Sequence, residues 1–393
     1  MRLFAALGAL VLAVLLASCG GSVGSGGTGA PVARATAQGT VTGFGSVIVD
    51  DVVYEDDGVT SRVEVAPGRY ADRPVLLAQR VELDYEQLDG RLVLRSLTVA
   101  PSIVGPVEAV APGAFTVLGQ TVQVNDDPED GPPTLYEGIG SLATLKAGDW
   151  VEVHGLSWRS GALYHWRATR VEKLASAGTA RIAAVVTQVG PGSRLQLGAL
   201  AVAYEGAAVL PAGHAVRQGN RVVVWGQAEP GGMRATGIRV DVPPTTPRPA
   251  DGPADRAAGV VGALDAAVRR FDLGGLPVDY GGASVTPAGE TVAEGRYVQI
   301  EGRWGPDGVF VARQLKIRKK DQPNDRRERV VLRGLVESYQ SPALFRVRGT
   351  QVDASGAELR RCDAGLADGV EVRVQGWREA GTPVRADTVE CRR

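Results

Sequence analysis

Apolar and polar residues alternate along most of the chain in short runs that glycine interrupts. Such runs predict half-buried β-strands, and the glycines predict the tight turns between them. One strand that ends on glycine recurs four times, as Val151-Glu-Val-His-Gly155, Val222-Val-Val-Trp-Gly226, Val298-Gln-Ile-Glu-Gly302 and Val372-Arg-Val-Gln-Gly376. A first copy, Val81-Glu-Leu-Asp-Tyr85, has no glycine. A period of roughly 70 to 76 residues indicates a repeat protein.

A second pattern keeps the same spacing upstream of each of these strands. An apolar residue begins a short alternating strand, a glycine turn follows, and a second strand returns; the starting residues are Phe44, Phe115, Leu195, Phe271 and Phe345. Each copy therefore holds about five strands in roughly 70 residues, which favours a small OB-like barrel over a seven-stranded sandwich. The predicted fold is all-β, with five tandem small OB-like β-barrel modules after a signal peptide and a flexible tether.

The repeats also predict the division of the chain into domains. The five modules are expected at 39–103, 104–176, 177–242, 257–320 and 329–393. A Pro-rich linker at 243–256 and a charged linker at 321–328 separate the later modules. A Gly/Ser-rich tether at 19–38 follows the signal peptide at 1–18. Gly/Ser-rich chains behave as flexible coils, so the tether is expected to hold the modules away from a membrane.

The first eighteen residues have the order of a secretory signal, because Arg2 precedes an uncharged apolar run that is too short for a transmembrane helix. Leu16, Ala17, Ser18 and Cys19 resemble the lipobox of bacterial lipoproteins, in which the cysteine thiol takes a diacylglyceryl group. The resemblance implies a membrane anchor of acyl chains at Cys19. In that family Asp after the cysteine marks inner-membrane retention, so Gly20 implies an outer-membrane lipoprotein facing the periplasm or the cell surface. An ordinary secretory signal with a chance cysteine is the alternative.

Charge and cysteine content narrow the classes of partner. The formal net charge is −1, so no global field favours nucleic acid or acidic polymers. Apart from Cys19 the chain has only Cys362 and Cys391, both in the fifth module. In an oxidising compartment this pair favours one disulfide, with a metal pair or two free thiols as alternatives.

The opening residues of module 1, Gly39-Thr-Val-Thr-Gly-Phe-Gly-Ser-Val-Ile-Val49 with Tyr54 after them, resemble a bacterial family of domains of unknown function. Members of that family recur in tandem, as OB-like barrels, in lipoproteins and other exported proteins. The resemblance covers nearly all of 39–393 and is strongest in modules 1, 2 and 4. It implies a fold and a location, and it implies no activity.

No group of residues predicts catalysis. The sequence Gly20-Gly-Ser-Val-Gly24 has the letters of a nucleophile elbow, but it stands in the tether without a preceding strand. The histidines are His154, His165 and His214, with no cysteine near them, so packed or solvated histidines are favoured over a zinc site. We therefore expect no enzyme activity, no cofactor and no bound metal.

Two segments of the sequence are rich in carboxylates, the side chains that bind cations such as Ca²⁺. The loop from Asp126 to Glu137 has an EF-hand-like spacing, but Pro128 stands where a side-chain oxygen is needed. A solvated loop is therefore favoured over a weak Ca²⁺ site. The cluster Asp50, Asp51, Glu55, Asp56 and Asp57 is likewise interpreted as solvated turn residues.

Three tryptophans are the candidate ligand-binding residues. Trp158, Trp304 and Trp377 follow the recurring glycine by one to three residues, so we expect them at the same hairpin tip of three modules. Exposed tryptophans would stack on sugar rings or enter a protein partner. Packing against a neighbouring module is the alternative.

These observations leave three functions. The preferred one is a non-enzymatic, membrane-anchored envelope lipoprotein whose elongated string of barrels is a binding or scaffold protein for an envelope protein partner. The alternative is an array of carbohydrate-binding modules for peptidoglycan or polysaccharide that uses the tryptophans. Nucleic-acid binding is disfavoured by the compartment and by the net charge.

Overall fold

The computed structural model describes residues 34–244, 252–319 and 325–392; the predicted signal peptide and lipobox lie outside this part. Within it, the regular elements are strands apart from two 3₁₀ turns, Pro128–Asp130 and Leu142–Thr144. The all-β prediction is confirmed for these residues. None of the described residues forms a helix with the length and apolar character needed to span a membrane.

The strands follow the sequence repeats, and we number the repeats in chain order. Repeat 1 contains β1 (Arg34–Phe44), β2 (Val47–Val49), β3 (Val52–Tyr54), β4 (Arg62–Ala66), β5 (Arg69–Asp72), β6 (Arg80–Leu88) and β7 (Arg91–Val99). Repeat 2 contains β8 (Ile103–Ala111), β9 (Ala114–Val117), β10 (Gln120–Val124), β11 (Leu135–Glu137), β12 (Trp150–Ser160) and β13 (Leu163–Lys173). Repeat 3 contains β14 (Ala180–Val185), β15 (Gln188–Gly190), β16 (Arg194–Leu197), β17 (Leu200–Ala203), β18 (Ala208–Leu210), β19 (Arg221–Glu229) and β20 (Gly232–Val240).

The last two repeats have the same order of elements. Repeat 4 contains β21 (Asp255–Val260), β22 (Gly262–Asp265), β23 (Arg270–Asp272), β24 (Pro277–Asp279), β25 (Ser284–Thr286), β26 (Tyr297–Trp304) and β27 (Phe310–Ile317). Repeat 5 contains β28 (Glu328–Ser341), β29 (Leu344–Val347), β30 (Thr350–Asp353), β31 (Glu358–Arg360), β32 (Glu371–Arg378) and β33 (Val384–Cys391).

A β-bulge explains the recurring glycine. Each repeat ends in a long antiparallel hairpin whose register shifts once, and in repeats 2 to 5 the shift falls directly before the glycine. The glycine then faces an alanine, in the pairs Gly155–Ala168, Gly226–Ala235, Gly302–Ala312 and Gly376–Ala386. A Cβ on Gly376 would lie 2.0 Å from the carbonyl oxygen of Arg385. The bulge therefore needs a residue without a side chain.

Repeat 1 has Tyr85 at the corresponding register shift. The Tyr85 ring is fully buried and meets the Tyr54 ring edge-on, with 5.1 Å between the ring centroids. Its hydroxyl donates to the carbonyl of Ala254 and accepts from Nη1 of Arg256 at 2.8 Å. In repeat 1, which lacks the glycine, Tyr85 at this position therefore contacts repeat 4 through hydrogen bonds.

The strands join into three extended sheets. A 14-stranded sheet combines repeats 1 and 4 through parallel pairing of β1 with β21, and a 13-stranded sheet combines repeats 2 and 3 through β8 and β14. Repeat 5 forms a sheet of six strands. The predicted series of closed OB-like barrels is therefore wrong. Because the sheets continue from one repeat into another, the architecture is one of stacked coils of strands, as in a β-solenoid.

The buried side chains are also shared between repeats. Repeats 1 and 5 contribute to one core, which includes Phe44 and Phe345, and repeats 2 and 3 contribute to another. Repeat 4 has its own core and a small cluster with repeat 2. The expected elongated string of barrels is therefore wrong, because repeat 1 packs against both repeat 4 and repeat 5.

Three strands begin inside segments that the sequence assigned to connectors. β1 begins at Arg34 within the predicted tether, β21 at Asp255 within the Pro-rich linker, and β28 at Glu328 at the end of the charged linker. Oδ1 of Asp255 accepts hydrogen bonds from the backbone N–H and the hydroxyl of Thr36, both at 2.8 Å. These segment ends are ordered by pairing with distant strands, which their local composition does not reveal.

Cys362 and Cys391 form the predicted disulfide. It joins the residues after β31 to the end of β33, which pairs with β31 in parallel. The bond therefore reinforces a strand contact that is already present in repeat 5.

Candidate ligand-binding groove

A groove of about 570 Å³ lies where repeats 1, 3 and 4 meet. Its volume is within the range of small-molecule sites. Strands β6 and β7 form one wall, the residues at the start of β19 and the end of β20 form the second, and the end of β26 and the start of β27 form the third. Its aromatic side chains are Tyr70, Trp304 and Phe310.

Repeat 3 supplies one wall of the groove, and ion pairs hold the charged side chains of that wall in place. Arg239 contacts Glu64 at 2.9 Å and Asp241 at 2.7 Å. Burial lowers the pKa of Arg239, but the charges of Asp241, Glu82 and Glu64 raise it more, so this guanidinium stays charged. Burial raises the pKa of Asp241, against the lowering effect of Arg221 and Arg239. These arginines are held in place before any ligand arrives.

Two aromatic groups are placed on different walls of the groove. The guanidinium of Arg62 lies 4.3 Å above the Tyr70 ring, and burial raises the pKa of the Tyr70 hydroxyl. Trp304 ends β26 and meets Phe310 edge-on, with 5.8 Å between ring centroids. Asp84 and Asp307 add carboxylates to the lining. The arrangement suits a ligand that has an apolar face to stack on these aromatic rings and polar groups to form hydrogen bonds.

The three tryptophans do not share one place in the fold. Only Trp304 lines the groove. Trp158 is 7% exposed, stacks on His165 with 5.0 Å between ring centroids, and packs with Ala258 and Val260 of repeat 4. The expectation that Trp158 is exposed for ligand binding is therefore wrong, because repeat 4 covers its ring.

Trp377 is half-buried and lies outside the groove. The guanidinium groups of Arg327 and Arg329 lie 5.1 and 4.8 Å from the centre of its ring. These cation–π contacts occupy the ring, which leaves Trp304 as the tryptophan of the predicted set that a groove ligand can reach.

The histidines described below are a buried one, His154, and an exposed one, His214. His154 is fully buried; its Nδ1 accepts the backbone N–H of Arg80 at 3.1 Å, and its Nε2 lies 2.8 Å from Oε1 of Glu152. Burial, with the charges of Arg73 and Arg170, lowers the pKa of His154 against the raising effect of Glu152. Because Nδ1 accepts a hydrogen bond, the ring donates to Glu152 from Nε2. His214 is exposed in repeat 3. Among the residues described, no group of three potential metal ligands is present.

The acidic loop of repeat 2 directs its carboxylates toward arginines. Asp126 pairs with Arg326, and Glu137 contacts Arg346 at 2.9 Å. The side chain of Asp127 accepts the N–H of Glu129 and so caps the first 3₁₀ turn. This local network accounts for the carboxylates of a loop that the sequence had also allowed as a weak Ca²⁺ site.

Asp50 differs from the sequence interpretation of its acidic cluster. It is buried, not solvated, and it accepts hydrogen bonds from the hydroxyl of Tyr297 and the backbone N–H of Thr40. Burial raises its pKa from 3.8 to about 6, while the charge of Arg80 and the hydrogen bond of Tyr297 act to lower it. Asp50 thus links repeat 1 to repeat 4.

Comparison with known proteins gives a family likeness for two parts of the chain. Residues 104–172 and 258–316, within repeats 2 and 4, match DUF5666, a domain of unknown function. No curated protein matches the chain. A solved structure titled "drosophila Unr CSD456" is 12% identical and covers 57% of this chain and 99% of its own, with a TM-score of 0.15. That score is too low to carry a functional argument.

Most groove residues could not be selected from the sequence. Arg62, Tyr70, Arg239 and Asp307 stand in three different repeats and belong to no motif. Their convergence depends on the pairing of β1 with β21, which places repeat 4 beside repeat 1. The recurrence of tryptophan near the glycine indicates Trp304, but that recurrence does not explain why Trp304 lines the groove.

Proposed function

We propose that the protein is a non-catalytic binding protein of the bacterial cell envelope and that its ligand occupies the groove between repeats 1, 3 and 4. The observation that carries the proposal is the groove itself, about 570 Å³ in volume, with preordered arginines and aromatic rings on its walls. Preordering matters because side chains that are already fixed lose little entropy on binding.

The groove chemistry favours a carbohydrate ligand. The ring of Trp304 and the part of the Tyr70 ring that Arg62 leaves exposed offer surfaces for the apolar faces of sugars. Arg62, Asp84 and Asp307 offer donors and acceptors for hydroxyl groups. A protein partner has less support. Large exposed apolar side chains are spread over the repeats, for example Val53, Leu163, Val268 and Leu335, and scattered apolar residues are normal on any surface.

The location belongs to the same proposal and rests on the sequence. The lipobox residues Leu16 to Cys19 support an acyl anchor, and Gly20 supports the outer membrane. Mass spectrometry of the protein extracted from membranes should show diacylglycerol on Cys19, and Cys19→Ser should release the protein from the membrane fraction. An unmodified Cys19 would contradict the anchor without affecting the groove.

Calorimetric titration with fragments of peptidoglycan and envelope polysaccharides tests the ligand class. Trp304→Ala should weaken binding at least tenfold, because the groove loses the ring face that stacks on the sugar. Trp377→Ala is the matched control, since the Trp377 ring contacts two arginines and does not line the groove. Unchanged affinity in Trp304→Ala, with a native melting temperature, would reject the groove as the glycan site.

A further inference from the structure

A second cavity, of about 60 Å³, lies where repeats 1 to 4 meet. A single water needs roughly 10–15 Å³ of such space, so the cavity has room for a guest of several atoms. Gln38, Glu82 and Arg221 line both this cavity and the groove. The two spaces are therefore neighbours with shared walls.

Arg181 is the unusual residue of this cavity. It is 6% exposed, and its Nε and Nη1 atoms have no hydrogen-bond partner among the residues described. Its guanidinium lies 5.5 Å from the centre of the Trp225 ring, its cross-strand neighbour. Burial lowers its pKa to about 10, so the group still carries its charge at neutral pH. A buried charge with two unsatisfied N–H groups is costly, which points to a missing partner.

The other charged groups of the cavity lining leave a positive excess. Arg80 is half-buried and donates from Nη1 to the Thr40 hydroxyl at 3.2 Å. Arg221 contacts Asp241 at 3.3 Å and donates to Gln38 at 2.9 Å. Glu82 is the carboxylate of the lining. Three guanidinium groups and one carboxylate therefore line the cavity, and Arg221 and Arg80 have Asp241 and Asp50 beside them, which leaves Arg181 as the arginine without a close ion pair.

We infer that Arg181, with Arg80 and Arg221 near it, forms a binding site for an oxyanion group. The planar guanidinium fork matches the geometry of carboxylate and phosphate oxygens. The group can be a free inorganic anion or the acid group of a ligand that occupies the adjoining groove. The inference concerns Arg181 itself and does not depend on the glycan assignment of the groove.

Equilibrium dialysis of the purified full chain with labelled inorganic phosphate, at constant ionic strength balanced with chloride, tests the free-anion source. We expect saturable binding of one phosphate per chain and at least a tenfold loss in Arg181→Met, which keeps an apolar stem against Trp225. Arg313→Met is the control, because Arg313 is exposed on β27 and lines neither cavity.

Paired titrations with an acidic and a neutral envelope oligosaccharide test the second source. Arg181→Met should weaken only the acidic sugar, whereas Trp304→Ala should weaken both. Equal affinities of wild type and Arg181→Met for phosphate and for the acidic sugar, including no binding of either, would overturn the inference. The proposed function fails separately, if Trp304→Ala binds both sugars like the wild type.

Discussion

Arg73 of repeat 1 and Glu152 of repeat 2 form a two-point ion pair, in which each guanidinium nitrogen lies 2.6 Å from one carboxylate oxygen. The Glu152 side chain is 5% exposed. Burial raises the pKa of Glu152, but the hydrogen bond from His154 and the charge of Arg73 lower it to about 2. The carboxylate is thus ionised and depends on two partners.

Arg73→Ala should lower the free energy of unfolding by about 3 kcal/mol, because it leaves a buried carboxylate without its cation. Chemical denaturation measures the change. Arg360→Ala is the matched control, since Arg360 pairs with Glu358 at 2.8 Å on the open surface and its loss should have little effect. Equal decreases in the free energy of unfolding of the two variants would show that the buried ion pair stabilises the protein no more than the exposed one.

Asp50 should make the protein less stable as the pH rises from about 4 to about 6. Across this interval the native state holds a proton that the unfolded chain, with a pKa of 3.8, has released. The difference amounts to about 3 kcal/mol for this group. Asp50→Asn cannot ionise, so this part of the pH dependence should vanish from its stability profile.

The difference between wild-type and variant profiles isolates Asp50 from other titrating groups. Glu152 acts in the opposite direction, because its stabilising effect is present above pH 4.5 and is lost as the pH falls toward about 2. Asp57→Asn, at an exposed position in the same acidic cluster, should keep the wild-type profile. Parallel profiles for Asp50→Asn and wild type would refute the assignment.

Removing the disulfide with Cys362→Ala and Cys391→Ala should cost about 3.5 kcal/mol in the chain-entropy model, since the bond closes a loop with a sequence separation of 29. Native-state hydrogen exchange should show the loss first in β31 and β33. Reducing agent should have the same effect on the wild type and none on the variant. Unchanged exchange in repeat 5 would contradict the prediction.

Gly376→Ala should destabilise the protein by about 2 kcal/mol or more, because the new Cβ meets the carbonyl of Arg385 at 2.0 Å. Gly356→Ala is the control in the same repeat, since nothing lies within 4 Å of a Cβ there. Thermal melts of the two variants give the comparison. Matching melting temperatures would mean that the bulge tolerates a side chain.

The strands were predictable because their signal is local. Alternation with period two identifies a strand from its own residues, and the glycine spacing identifies the repeat. Each of the four glycines also faces an alanine across its hairpin, Ala168, Ala235, Ala312 or Ala386. The spacing of the glycines alone does not predict the register shift at these pairs.

The pairing of distant repeats was not predictable from local patterns. Thr36 and Asp255, which hydrogen-bond at the junction of β1 and β21, are 219 residues apart in sequence. The prediction that the three tryptophans occupy the same place in their repeats is wrong for a related reason. Counted from the bulge glycine, Trp304 is the second residue, whereas Trp377 is the first and Trp158 the third. Successive strand residues point to opposite faces, so Trp304 cannot share a face with the other two.

The core that repeats 1 and 5 share affects the order in which the chain can fold. Phe44 and Phe345 belong to this core, and the Arg348 guanidinium of repeat 5 lies 5.1 Å from the centre of the Phe44 ring. A ribosome finishes repeat 1 long before it begins repeat 5. In an exported chain translocation follows the same order. Part of the apolar surface of repeat 1 therefore stays uncovered, and accessible to chaperones and proteases, until repeat 5 reaches the same compartment.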